Sequence, residues 1–145
     1  MRINEVLAGK GSTEVVTAPP GATVRQVVRM LAEHNIGALV VSTDGWTVEG
    51  IVSERDVVRR LDQDDRVLDS AVSEIMSSDV RTCEGGNTVD EVMALMTARR
   101  FRHVPVVQDG RLRGIVSIGD VVKSRMSQLE FERDQLDSYV HGSQS

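Results

Sequence analysis

A nine-residue motif occurs twice in this chain and constrains its fold more than any other feature. Gly-Ile-Val-Ser-Glu-Arg-Asp-Val-Val occupies Gly50–Val58, and Gly-Ile-Val-Ser-Ile-Gly-Asp-Val-Val occupies Gly114–Val122, with seven of the nine residues identical. A duplication of this kind indicates two copies of one supersecondary unit. A single small unit would leave an apolar face bare, so we expect the two copies to pack face to face and bury it.

The duplication extends to a helix that precedes each copy of the motif. Apolar residues recur at the spacing of one helical face in Val24–Leu31 and again in Val89–Met96. Thr23 and Thr88 stand directly before these two segments. Threonine in that position is typical of a helix N-cap, so both segments are predicted to be capped helices.

Each half also contains three predicted strands. Short apolar runs rich in β-branched residues are typical of buried strands. These runs are Val15–Thr17, Ala38–Val41 and Val48–Val52 in the first half, and Val80–Thr82, Val104–Val107 and Leu112–Val116 in the second. Asp-Gly pairs at Asp44 and Asp109 predict turns before the last strand of each half. The predicted fold class is therefore α/β (α+β in some schemes), with two β-α-β-β-α repeats related by a pseudo-two-fold axis.

The domain boundaries follow from this alignment. The first repeat is expected at 1–62, a linker at 63–74, the second repeat at 75–125, and a C-terminal helix with its tail at 126–145. Apolar residues at heptad-like spacing continue through Val122–Val140 and predict a helix of about 20 residues. This stripe either packs on its own domain or forms a seam with a second copy of the chain.

Composition and charge argue against several classes of protein. A net charge of −5 disfavours nucleic acid as a partner, because phosphate binding needs clustered basic residues. No apolar run approaches the roughly 18 residues that a membrane span needs. Cys83 is the single cysteine, so no internal disulfide forms, and a cytoplasmic location is expected. The histidines have no metal-ligand spacing with Cys83, and we expect neither a metal site nor a catalytic residue.

Each copy of the motif contains Ser-x-x-Asp. Ser53 with Asp56, and Ser117 with Asp120, fit a capping box at the start of a second helix. Capping accounts less well for the Gly-Ile-Val that precedes the serine in both copies. The two polar pairs are therefore also candidates for two related binding sites.

Taken together, these features resemble a tandem pair of cystathionine-β-synthase (CBS) domains, a Bateman module of the stand-alone bacterial type. The resemblance rests on the duplicated motif, on Ile36–Val41 in the first half and on Phe101–Val107 in the second, and it covers about residues 1–125. It implies clefts between the two units that bind an adenine-containing ligand such as AMP, ADP, ATP or NAD. No further cofactor is expected.

The resemblance also implies which residues face each cleft. The aspartate of the motif binds the ribose hydroxyls, the serine lies near the ribose and phosphate, and the isoleucine flanks the adenine. The resulting assignment is Ile51, Ser53 and Asp56 in one cleft, and Ile115, Ser117 and Asp120 in the other. The leading segment of each repeat faces the cleft of the other repeat. Residues from Thr17 to Ala22 would therefore join Asp120, and those from Thr82 to Asn87 would join Asp56.

The two clefts are expected to differ in charge. Arg102 and His103 match positions where members of the family place basic phosphate ligands. Gly37 and Ala38 occupy the equivalent positions in the first repeat. We therefore expect the Asp120 cleft to hold the more highly charged ligand.

The expected function is an adenine-nucleotide sensor that signals occupancy through a homodimer to a separate, unidentified protein. One alternative is an interaction or assembly protein with vestigial clefts, suggested by the C-terminal stripe and by Trp46 in a predicted turn. A small nucleotide-processing enzyme is less favoured, because the sequence contains no evident pair of nucleophile and general base.

Overall fold

The computed structural model describes residues 1–10 and 15–142, which form a mixed α/β fold. The elements in order are α1 Ile3–Ala8, β1 Thr17–Ala18, α2 Val24–His34, β2 Ala38–Val41, β3 Gly50–Ser53, α3 Glu54–Gln63, two short 3-10 helices at Asp65–Asp69 and Val72–Glu74, α4 Val89–Arg99, β4 His103–Gln108, β5 Arg111–Ser117 and α5 Ile118–Gly142. Each repeat has its own small sheet and its own apolar core. The predicted repeat of strand, helix, strand, strand, helix is confirmed in the first half.

The first sheet has three strands in the order β1-β2-β3. Strand β2 pairs in parallel with β1, where Thr17 lies opposite Val40, and antiparallel with β3, where Leu39 lies opposite Val52. All four residues of β2 are buried, as expected for an apolar run that is covered on both faces. Ser53 is the last residue of β3, so it lies at the end of the sheet, directly before α3.

The second sheet pairs β4 with β5 and lacks the predicted leading strand. Asp109 and Gly110 form a tight turn with φ angles of 54° and 74°, the left-handed values that a type I′ hairpin requires. The prediction of a strand at Val80–Thr82 is wrong, because within the described residues this segment forms no strand and pairing begins after it, at a single parallel bridge from Cys83 to Val106. Arg81 and Thr82 are exposed, so no buried side chain holds this segment in the sheet.

The predicted helix N-caps are confirmed in both halves. The Thr23 hydroxyl accepts a hydrogen bond from the Gln26 amide at 3.1 Å. The Thr88 hydroxyl does the same with the Glu91 amide at 3.1 Å. Each cap satisfies an amide that the first turn of a helix would otherwise leave unpaired.

The segment before each repeat packs against the core of the other repeat. Ile3 and Val6 of α1 are buried in the second core, whereas Val67 and Val72, after α3, are buried in the first. The amide of Ile3 donates to the Asn87 carbonyl at 2.9 Å, and the amide of Val72 donates to the Ala22 carbonyl at 2.7 Å. Sequence order assigns α1 to the first repeat, but its buried side chains complete the second.

The loop that follows β2 also connects the two halves. Asp44 holds this loop by accepting hydrogen bonds from the amides of Trp46 at 2.8 Å and Thr47 at 2.7 Å. The Trp46 carbonyl accepts from the Leu112 amide at 2.8 Å, and the Arg111 guanidinium lies 5.3 Å from the centre of the indole ring. Trp46 therefore covers β5 of the second repeat, although half of its surface remains exposed.

Helix α5 is a single continuous helix rather than a short domain helix followed by a separate tail helix. At 1.5 Å per residue its 25 residues span about 37 Å. Val121 is buried against the second core, but Met126, Leu129 and Leu136 are each at least half exposed. The apolar stripe thus faces away from the part of its own domain that the structure describes.

Truncation of Ile3 tests whether α1 belongs to the folded core. Ile3→Ala should lower the free energy of unfolding by about 2–5 kcal/mol, and Ile3→Val by about 0.5–1.5 kcal/mol, because the larger deletion leaves the larger cavity. Urea unfolding followed by circular dichroism measures both values. If Ile3→Ala lies within about 0.5 kcal/mol of the parent, as surface changes do, α1 does not stabilise the second repeat.

Candidate functional site

Each Ser-x-x-Asp sequence joins a strand to a helix at the wall of a cleft. The Ser53 hydroxyl accepts a hydrogen bond from the Asp56 amide at 3.3 Å, and Asp56 Oδ2 accepts from the Ser53 amide at 2.9 Å. Ser117 and Asp120 make the same two bonds at 3.1 Å and 2.9 Å. The predicted capping boxes are confirmed. In both aspartates Oδ1 has no hydrogen bond to the part of the chain that the structure describes.

The first cleft, which we call the Asp56 cleft, has a volume of about 400 Å³. Its walls come from the motif of the first repeat, from the segment that leads into the second repeat, and from the end of α4 with the start of β4. The lining residues are Gly37, Ala38, Ile51, Ser53, Glu54, Arg55, Asp56, Arg59, Ser77, Asp79, Val80, Arg99, Arg100, Phe101, Arg102 and His103.

The second cleft, which we call the Asp120 cleft, has a volume of about 320 Å³. It is built from the pseudo-equivalent elements, with the motif of the second repeat and the segment that leads into the first. The lining residues are Lys10, Val15, Val16, Asn35, Ile36, Gly37, Ala38, His103, Gly114, Ile115, Ser117 and Asp120.

The two clefts share a wall where the first residues of β2 and β4 meet. Gly37, Ala38 and His103 line both clefts. A Cβ atom on Gly37 would lie 3.4 Å from His103 Nε2, so the glycine leaves room for the imidazole. Backbone bonds from the Glu54 amide to the Gly37 carbonyl at 2.9 Å and from the Ile118 amide to the Arg102 carbonyl at 2.8 Å hold the two sides in equivalent positions.

Four of the residues assigned to the clefts from the sequence lie outside both linings, namely Thr17, Ala22, Thr82 and Asn87. The chain touches each cleft earlier, at Val16 for the Asp120 cleft and at Val80 for the Asp56 cleft. After these positions it turns inward to the cores. Ala22 is buried in the first core, and the Asn87 side chain accepts a hydrogen bond from the Glu84 amide at 2.7 Å.

The structure places Arg102 in the Asp56 cleft, not in the Asp120 cleft. The assignment of Arg102 to the Asp120 cleft is therefore wrong, and it no longer supports the expectation that this cleft holds the more highly charged ligand. Arg99 and Arg100 line the same cleft and were not among the predicted site residues. Basic residues at the end of a helix are usual, since they interact favourably with its C-terminal dipole, so their sequence position alone did not indicate a site.

Lys10 lies inside the Asp120 cleft and contacts its polar groups directly. Its ammonium donates to the Ile115 carbonyl at 2.8 Å and forms an ion pair with Asp120 Oδ2 at 2.8 Å. Burial raises the pKa of the Asp120 carboxyl. The bonds from Lys10 and the Ser117 amide outweigh burial and hold that pKa below its ordinary value. Sequence reasoning missed Lys10, because only the fold brings it to β5.

The pKa of the His103 imidazole lies below its ordinary value. Burial is the main cause of its lowered pKa, and the positive charges of Lys10 and Arg102 act in the same direction. Asp120 and Glu54 oppose the change without reversing it. An uncharged imidazole on the shared wall offers one hydrogen-bond donor and one acceptor rather than a cation for phosphate.

Other chemistry finds little support in the described residues. Cys83 is buried, and burial raises the pKa of its thiol to about 11, so it is not a reactive thiolate. Over 1–10 and 15–142 no group of His, Cys, Asp and Glu side chains is arranged to hold a metal ion. Within the same ranges, no helix has the length and apolar character needed to cross a membrane.

Comparison with known proteins shows the family to which this fold belongs. The CBS domain family matches the chain at residues 8–63 and again at 72–127. A mitochondrial CBS domain-containing protein of Arabidopsis thaliana is 34% identical over 148 residues, covering 97% of this chain and 72% of that protein. The crystal structure of a CBS-domain containing protein from Agrobacterium tumefaciens has a TM-score of 0.80 and 43% identity, covering 86% of this chain and 99% of the other.

A CBS domain protein from Pyrobaculum aerophilum, complexed with AMP, has a TM-score of 0.78 and 31% identity, covering 92% of this chain and 99% of the other. The chain belongs to the CBS domain family and contains two CBS domains in tandem. Proteins of this class are regulatory ligand-binding modules.

Removal of Lys10 tests the electrostatics of the Asp120 cleft. Lys10→Ala should raise the pKa of Asp120, because the Ser117 amide alone no longer offsets burial. A carbon-13 NMR titration of the side-chain carboxyl measures the change, with the exposed Lys123→Ala as control. A folded-state pKa below the ordinary value of 3.8 stabilises the protein above that pH and loses the effect as the pH falls through the lowered pKa. An unchanged Asp120 pKa in Lys10→Ala would disprove the pairing.

Proposed function

We propose that this tandem CBS pair senses adenine nucleotides, with AMP, ADP, ATP or NAD as the candidate ligands. The supporting observation is that two pseudo-equivalent Ser-x-x-Asp turns each line a cleft, with one carboxylate oxygen that has no hydrogen bond to residues 1–10 and 15–142. A carboxylate is an acceptor only and accepts hydroxyl hydrogen bonds well, so Asp56 and Asp120 suit the two hydroxyls of a ribose. The AMP complex of the Pyrobaculum aerophilum relative supports the same ligand class.

The rest of each cleft suits the other parts of such a ligand. Ile51 and Ile115 give each cleft an apolar surface for the adenine ring. The amides at the start of α3 and α5 give each cleft a helix N-terminus, which favours phosphate. Volumes of about 400 and 320 Å³ fall within the range of roughly 300–1,000 Å³ that small-molecule sites occupy.

We further propose that the protein acts as a homodimer held by α5. The exposed side chains Val122, Met126, Leu129 and Leu136 recur at a heptad-like spacing along this helix. Lys123 and Arg125 flank the stripe near its start, whereas Glu130, Glu132 and Asp137 flank it further along. Opposite charges at the two ends favour an antiparallel pairing with the same helix of a second copy.

Ligand occupancy of the clefts would be signalled to a separate protein partner through a change in this dimer. A ligand transmits a signal only to the extent that it binds one arrangement of the dimer more tightly than another. Helix α5 begins at Ile118, directly after Ser117 of the Asp120 cleft, and continues into the exposed stripe. It therefore connects the ligand site with the dimer seam. We also propose a cytoplasmic location, since Cys83 is a free thiol.

The second candidate function is an assembly protein whose clefts stay empty. The exposed stripe on α5 favours it, because that surface suits a partner whether or not a ligand is present. Mass spectrometry of small molecules released from the purified protein separates the two. A co-purifying adenine compound supports the sensor, and a stable dimer that neither carries nor binds one supports the assembly protein.

Removal of either motif aspartate should weaken nucleotide binding in its own cleft. Loss of a hydrogen bond to a charged group costs about 1.5–3 kcal/mol, so Asp56→Ala and Asp120→Ala should each lose roughly 10-fold to 150-fold in affinity. Calorimetry with AMP, ADP, ATP and NAD measures the affinities, with Asp62→Ala as a control outside both clefts. Parent-like affinity in both cleft variants would exclude the assigned clefts. Turnover during prolonged incubation would instead favour an enzyme.

A charge on the α5 stripe should separate the dimer. Leu129→Glu places a carboxylate in the middle of the proposed seam, whereas Gln128→Glu places one beside it as a matched control. Sedimentation equilibrium should show a monomer for the first variant and a dimer for the second and for the parent, with unchanged helix content. A dimer in all three proteins would show that α5 is not the seam.

A further inference from the structure

The two clefts differ most in their positive charge. Five arginines line the Asp56 cleft, namely Arg55, Arg59, Arg99, Arg100 and Arg102. Three carboxylates, those of Glu54, Asp56 and Asp79, line it as well. The cleft therefore has an excess of positive charge, although the chain as a whole carries a net charge of −5. Such a local excess attracts anions into the cleft.

None of these five guanidinium groups forms an ion pair with a carboxylate in the described part of the chain. Five like charges around one cavity repel one another, and a bound anion relieves that repulsion. In the Asp120 cleft the situation is reversed. Among the described residues that line this cleft, Lys10 is the single lysine or arginine, and it is already paired with Asp120 at 2.8 Å.

The duplication provides an internal comparison on the same backbone framework. Aligned through the two motifs and the two helix caps, the five arginines correspond to Gly119, Lys123, His34, Asn35 and Gly37. Of these five, only Asn35 and Gly37 line the Asp120 cleft, and neither is charged. The fold therefore does not require these arginines, because the equivalent helices and strands form with other residues at all five positions.

The arginines approach the cleft from two sides. Arg55 and Arg59 lie one turn apart in the first two turns of α3 and so share one face of that helix. Arg99, Arg100 and Arg102 come from the end of α4 and the residues before β4, which form another part of the lining. A phosphate chain between these walls would be contacted from both sides, and the N-terminus of α3 would add amide donors.

Arg100 also has an unusual backbone conformation. It ends α4 with a φ angle of 57°, a left-handed value that glycine or asparagine adopts more readily. The equivalent position in the first repeat is Asn35, with a φ angle of 51°. An arginine at a position where it costs backbone energy is consistent with a role for its side chain in the cleft.

We propose that the Asp56 cleft selects nucleotides with two or more phosphates, whereas the Asp120 cleft binds the adenine ligand with one phosphate or none. This inference rests on the proposed nucleotide-sensing function and adds a division of labour between the clefts. Because one cleft distinguishes ligands by their phosphate chain and the other does not, the protein would bind two kinds of adenine ligand at the same time, one in each cleft.

The test compares ATP with AMP by calorimetry on the full chain. One double variant is Arg55→Gln/Arg59→Gln and the other is Arg99→Gln/Arg102→Gln, so that each wall is changed separately. Arg29→Gln/Arg60→Gln, outside both clefts, is the control with the same change in net charge. All of these variants are made in an Asp120→Ala background, so that binding in the Asp56 cleft is measured. The same variants are also made in the parent background, which provides the comparison if Asp120→Ala folds poorly.

We expect ATP to bind at least about 10-fold more tightly than AMP at low salt, because charge-assisted hydrogen bonds to phosphate are strong. Each cleft double should reduce this preference to about threefold or less, because the loss of positive charge weakens the binding of ATP, with its longer phosphate chain, more than the binding of AMP. The control should retain the full preference. Added salt should lower the affinity for ATP more than the affinity for AMP, because screening acts on the phosphate charges and ATP carries more of them.

Two results would overturn the inference. In the first, the Asp120→Ala protein binds AMP as the parent does and binds ATP with the same affinity as AMP. That result would show that the nucleotide site exists but does not distinguish nucleotides by their phosphate chain. An ATP preference that survives in both cleft doubles would place the selectivity elsewhere. If no adenine compound binds but inorganic tripolyphosphate binds and is lost in both doubles, the sensing function fails while the arginine site for a phosphate chain stands.

Discussion

The burial of two apolar faces against crossed segments is the constraint on which the rest of the structure depends. Each core is completed by a segment from outside its predicted repeat, because Ile3 of α1 fills the second core and Val72 of the predicted linker fills the first. This exchange holds the two repeats in a fixed relation. The clefts exist because of it, since each is bounded by a motif from one repeat and a loop from the other.

Duplication kept the backbone of the two clefts and changed their side chains. The Ser-x-x-Asp turn caps its helix through one carboxylate oxygen, Oδ2, and the proposed ligand contact would use the other, so capping alone maintains the geometry of the turn in both copies. The remaining positions are free to diverge. Arginines collect around Asp56, whereas Lys10 neutralises Asp120. A symmetric fold therefore carries two electrostatically different sites, and α5 extends from one of them toward the proposed dimer seam.

Local patterns predicted local structure well. The caps at Thr23 and Thr88, the buried run Ala38–Val41 and the hairpin at Asp109 are all present, because each depends on neighbours within a few residues. Predictions that needed the path of the chain through space were less successful. Val80–Thr82 is not a strand, and the leading segments touch the clefts before Thr17 and Thr82, since the cores draw the following residues inward.

The amino-acid sequence by itself determined the two repeats, their helices and caps, and the two polar pairs of the motif, because periodicity and capping act over a few residues. Only the tertiary structure decided which cleft each charge enters. Arg102 belongs with Asp56, and Lys10 belongs with Asp120, although each pair is far apart in sequence. Coulomb energy depends on distance in space, so the charge of a cleft is set by packing rather than by order along the chain.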